Sequence, residues 1–109
     1  MGKVISAKHF LYSVDDLIAM FTALLQKEID HKLEFRKKVI NSQDPEHFDM
    51  LSDSVISIWM NVNRSLVSKE TEIEFKNEIT NSDWNIVEYR WQEDERTSMD
   101  QIYISVKPA

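Results

Sequence analysis

From Val14 onward the chain runs thirty-one residues without a glycine or a proline, until Pro45. Within that stretch Val14, Leu17, Ile18, Phe21, Leu24, Leu25, Ile29, Leu33 and Ile40 recur at helical spacing. The pattern predicts a helix over 14–40. Ser13 is a good cap for it: its hydroxyl can accept from an orphan backbone N–H, and Asp16 can reach back. Asp15 and Asp16 also suit the positive end of the helix dipole. At 1.5 Å per residue such a helix is roughly 40 Å long, longer than a small domain is wide. Either its far end projects or a second long helix accompanies it.

A second helix is predicted over 45–66. Asp44 can cap it, and Pro45 falls at the first helical position, where a missing N–H costs nothing. Phe48, Leu51, Val55, Ile58, Val62 and Leu66 then follow as one stripe, widened by Trp59. The connection between the helices is short, so they are expected to form an antiparallel hairpin.

Elsewhere the apolar period is two. Over 3–11, Ile5, Ala7, His9 and Leu11 would share one face of a strand, although a helix extended backwards from Ser13 fits too. Over 72–79, Ile73, Phe75 and Ile79 alternate with Glu72, Glu74, Lys76 and Glu78. Asn81–Ser82–Asp83 reads as a turn. In the next strand, 84–92, alternation sets Val87, Tyr89 and Trp91 on one face and Trp84, Ile86, Glu88 and Arg90 on the other. The last strand, 100–107, has Ile102, Ile104 and Val106 on one side and Tyr103, Ser105 and Lys107 on the other. The sum is a single α+β domain over 1–109. It is expected in two layers, with a long antiparallel helical hairpin on a three- or four-stranded antiparallel sheet.

Composition removes several chemistries. The sole glycine is Gly2, so no glycine-rich phosphate loop exists, and the absence of cysteine removes disulfides, thiolate metal sites and cysteine nucleophiles. Glu28 and His31 have the spacing of carboxylate-bridged metal sites, but the next such pair, Asp44 with His47, would lie about two and a half turns away along the hairpin. No metal or other cofactor is expected. No serine lies in a strained glycine-flanked turn, and Glu93, Asp94 and Glu95 read as loop acids facing water, so no enzyme is expected. No apolar run reaches leader or membrane-spanning length, which gives a cytoplasmic expectation.

The net charge of −6 is uneven: residues 1–41 sum to +2 and residues 42–109 to −8. An acidic second half disfavours nucleic acid, whose phosphates need Lys and Arg. The basic run of Lys32, Arg36, Lys37 and Lys38 suits the C-terminal end of the first helix. On the last strands, Trp84, Ile86 and Tyr103 are left on the face away from the helices. Glu74 and Glu88 would rim them, and Glu93, Asp94 and Glu95 lie nearby. An apolar centre with an acidic rim suggests a docking surface for a basic protein, as in inhibitors and immunity proteins. The partner would be a nuclease or another nucleic-acid-binding enzyme. Two other readings remain: a homodimer or larger oligomer formed through the projecting half of the hairpin or the open sheet face, and a small-ligand domain with a pocket between hairpin and sheet lined by Trp59, Tyr89 or Trp91.

Overall fold

The computed structural model describes residues 4–42 and 55–109. The long helix is present as α1 (Val14–Ser42), with Asp15 and Asp16 in its first turn. Its start is a reciprocal cap. Ser13 Oγ accepts from the Asp16 N–H at 3.1 Å, and Asp16 Oδ2 accepts from the Ser13 N–H at 2.9 Å. Leu17, Phe21 and Leu25 are buried at spacings of four. Further along α1, Leu33 and Ile40 are exposed.

The segment ahead of α1 is not the expected strand. Over residues 4–11 the chain makes a 3-10 turn, Ala7–His9, with Ser6 accepting from the Lys8 N–H. Val4, Ile5 and Phe10 are exposed. Apolar alternation without a neighbouring strand to pair with does not make a strand, and here a local side-chain bond holds a turn instead.

The described part of the expected second helix, 55–66, is also not the α-helix expected. The first part of that helix, 45–54, and the Asp44–Pro45 start lie outside the described residues. Beyond them stands β1 (Ile56–Asn61), followed by a 3-10 turn, Arg64–Leu66, capped by Asn63. Val55, Ile58 and Val62 fit a helical stripe, but Ile56, Ile58, Met60 and Val62 fit a strand equally well. A short apolar run satisfies both periods. The β-branched and aromatic residues here favour the pleated form. Burial follows period two, with Ile56, Ile58 and Met60 inside.

A third correction concerns 72–79. These residues lie in α2 (Lys69–Asn81), not in a strand. Ser68 caps it, accepting from the Thr71 N–H at 3.1 Å. The alternation Ile73, Phe75, Ile79 is incomplete, because Asn77 would have to face inward with them. The period that organises burial is four: Phe75 and Ile79 are buried, whereas Ile73 is 58% exposed. The turn that ends α2 contains Asp83 at φ 66°, a left-handed conformation that aspartate tolerates.

The remaining strands, β2 (Trp84–Glu93) and β3 (Asp100–Pro108), stand where the alternation set them. The described sheet has three antiparallel strands in the order β1-β3-β2. The C-terminal strand is therefore the central one. Ile102, Ile104 and Val106 join Ile56, Ile58 and Met60 in one buried cluster with Leu17, Phe21 and Leu25 of α1 and Phe75 and Ile79 of α2. At its heart the Phe21 and Phe75 rings meet edge to face, 5.8 Å between centroids.

One irregularity changes what β2 presents. Ile86 pairs with Val106 and Glu88 with Ser105, so Val87 has no counterpart on β3. This bulge shifts the alternation by one residue. Trp84 and Ile86, which strict alternation puts on the outer face, instead pack against the core together with Tyr89 and Trp91.

Candidate functional site

The sheet face turned away from the core is organised as rows that cross all three strands. Register sets Asn61, Gln101 and Gln92 in one row, Trp59, Tyr103 and Arg90 in the next, and Ser57, Ser105 and Glu88 in the third. The first row is an amide ladder. Gln101 Nε2 donates to Asn61 Oδ1 at 2.9 Å, and Gln92 Nε2 donates to Gln101 Oε1 at 3.1 Å. The second row is a stack. The Trp59 and Tyr103 rings lie 5.2 Å apart, and the Arg90 guanidinium sits over Tyr103 on the other side, 4.4 Å from its centroid. Two further bonds tie this stack to the third row. Ser57 Oγ and Tyr103 Oη are 3.1 Å apart, and Arg90 forms an ion pair with Glu88.

Tyr103 is thus held on three sides, by an indole, a guanidinium and a hydroxyl. Trp59 meets Tyr103 on one side, has no other ring or hydrogen-bond partner among the described residues, and is 51% exposed. Val87, the extra residue of the bulge, is also half-exposed at 52%. The described charges on this face are Glu88, Arg90 and Lys107, so the face is polar and close to neutral.

Of the residues expected to form a docking surface, Tyr103 and Glu88 share this face. Trp84 and Ile86 lie on the opposite one because of the bulge. Glu74 is on the exposed surface of α2, so of the two acids expected to rim this face only Glu88 lies on the sheet. Glu93 is the last residue of β2, and Asp94 and Glu95 lead into the turn to β3, where Asp94 accepts from the Arg96 N–H at 2.8 Å. Trp59 and Arg90 complete the site. Reading 56–61 with period two sets Trp59 beside Ser57 and Asn61, away from Ile56, Ile58 and Met60, and so brings it to this face.

The helix-covered side of β2 has its own polar seam with α2. Trp91 Nε1 donates to Glu72 Oε1 at 2.9 Å, Arg64 lies over the Trp91 ring, and Lys76 lies over the Tyr89 ring at 4.1 Å. The Tyr89 hydroxyl is shut off from water without a well-formed hydrogen bond. Burial, and secondarily the Glu72 carboxylate, push its ionisation far above the usual tyrosine range. A mainly apolar groove of about 240 Å³ runs between α1 and α2 and is lined by Ile18, Phe21, Phe75, Ile79 and Trp84 among others. None of Trp59, Tyr89 and Trp91, the residues expected to line a ligand pocket, borders it.

Among the described residues no group of three or more His, Asp or Glu side chains could hold a metal ion. No described helix is long and apolar enough to cross a membrane. Compared with family models, curated proteins and solved structures, the chain matches none of them.

Proposed function

We propose that this chain is a small, non-enzymatic protein-binding module that docks a partner protein through the open sheet face, with the Trp59–Tyr103–Arg90 row at its centre. The observation that carries the reading is the half-exposed Trp59 seated against Tyr103 and Arg90 on a face that no described helix covers. Tryptophan, tyrosine and arginine supply most of the energy at protein interfaces. Here all three are pre-ordered by one another, which lowers the entropy lost on docking. The amide row on one side, and Ser57 and Glu88 on the other, supply a polar rim.

The partner is proposed to be basic. A net charge of −6, with acids on α2 and in the β2–β3 turn, attracts a positively charged surface over a distance and speeds its approach. The face itself contributes contact more than charge, because Glu88 and Arg90 already neutralise each other.

The test is affinity capture from the native host's lysate, followed by titration of the captured protein against wild type, Trp59→Ala and Arg90→Ala. Circular dichroism checks that both variants remain folded. The expected result is a stoichiometric basic partner whose affinity falls about thirtyfold in Trp59→Ala, the scale of a hot-spot residue. Equal binding by wild type and both variants overturns the reading.

A further inference from the structure

The backbone of β1 has a definite phase. The Val62 N–H donates to the Asp100 carbonyl at 3.2 Å, one step beyond the six β1–β3 residue pairs. In an antiparallel ladder the polar backbone groups alternate sides from residue to residue. Ile56, Ile58 and Met60 therefore address β3, while Ser57, Trp59 and Asn61 turn their N–H and C=O groups towards the outer edge. No described strand lies there.

The two outer edges of the described sheet are built differently. β2 carries the bulge at Val87 and the charges of Glu88, Arg90 and Glu93, devices that discourage pairing with another chain. β1 has none of them. Its sequence, ISIWMN, holds no charge, proline or glycine, and its register with β3 runs without a shift.

We infer that β1 pairs edge to edge and antiparallel with β1 of a second copy of this chain, joining two three-stranded sheets across a two-fold axis. Symmetry favours a second copy. The outward-turned residues Ser57, Trp59 and Asn61 are disposed evenly about Trp59, so an axis there sets Ser57 of each copy opposite Asn61 of the other. Opposed residues in this register lie on the same face, which keeps the helices of both copies on one side. Charge agrees. Each copy carries −6, and residues 55–63 include no ionisable side chain, so two like-charged copies can meet there without direct repulsion. The pairing would also join the two aromatic rows end to end, Trp59 beside Trp59, across the open face.

The test is sedimentation velocity on the purified full chain through the micromolar range. Wild type is expected to sediment as a dimer. Ser57→Pro is expected to be a monomer with unchanged circular dichroism, because the N–H it removes points outward and not to β3. Trp59→Glu leaves the backbone edge intact but opposes two carboxylates at the axis. It is expected to weaken the dimer about fivefold, an effect that added salt relieves. Ile73→Ala, on the exposed side of α2 and remote from the edge, is expected to dimerise like wild type. A wild type that stays a single chain throughout, including one that pairs only with a different protein, overturns the inference. So does unchanged dimerisation in both Ser57→Pro and Trp59→Glu.

Discussion

The indole of Trp91 donates its N–H to Oε1 of Glu72 at 2.9 Å, which ties the outer strand β2 to the first turn of α2. The carboxylate does two things there. It satisfies a half-buried donor, and it lies near the positive end of a helix dipole. Glu72→Ala is expected to cost about 1–2 kcal/mol, measured by thermal or urea denaturation. Glu72→Gln keeps an acceptor in place and is expected to cost less than half of that.

Phe75 and Ile73 differ by two positions in sequence and by nearly everything in environment. Phe75 is fully buried, whereas Ile73 is 58% exposed. Phe75→Ala is expected to destabilise the fold by about 3–5 kcal/mol, the usual result of emptying an aromatic site in a core. Ile73→Ala is expected to stay within about 0.5 kcal/mol. Comparable losses at both positions would mean that this segment alternates as a strand.

The Val87 bulge is expected to be sensitive to length and tolerant of composition. Deleting Val87 forces either a shifted register or outward-facing Trp84 and Ile86, and burying each such side chain is worth about 1.5–3 kcal/mol. The deletion should therefore cost several times as much as Val87→Ala, which removes only part of a half-exposed side chain. Urea midpoints of the two variants decide this.

Tyr89 should make the fold sensitive to alkali. Its folded-state ionisation lies above the unfolded value of 10.0, chiefly through burial and secondarily through Glu72. Above that pH the unfolded chain has released a proton that the folded chain keeps, so stability falls as pH rises. Below it the contribution is fully present and flat. Tyr89→Phe removes the titration and should flatten the alkaline limb of a stability profile. Two superimposable profiles would rule out this role.

The parts legible in the sequence were those where local chemistry and long-range packing agree. Ser13 and Asp16 announce the start of α1, and their bonds need nothing from the rest of the chain. Ile102, Ile104 and Val106 alternate cleanly because β3 is central and paired on both sides. The misread segments are those where the local pattern is degenerate. Residues 55–62 satisfy two periods at once, and pairing with β3 decides between them. Residues 73–79 alternate except at Asn77, and that single polar residue carried the information. The bulge leaves one trace, the passage of large apolar residues from even positions (Trp84, Ile86) to odd ones (Tyr89, Trp91), but nothing about Val87 itself distinguishes it from a regular strand residue. That one residue takes Trp84 and Ile86 off the outer face. Tyr103 could be assigned to it from the sequence, Trp59 could not, and Trp84 and Ile86 were put on the wrong side.

Because β3 lies between β1 and β2, neither of the earlier strands has a neighbour until Asp100–Pro108 arrives. During synthesis α1 can wind as soon as it emerges, but the sheet must wait for β3 to be translated. Ile56, Ile58 and Met60 are left without β3 beside them in the interval. Nascent chains of this protein would thus elongate from Asn61 to Asp100 with the ISIWMN segment unpaired and open to chaperones or to one another. Folding then becomes a late event, set by the closing of long loops more than by the speed of any single helix.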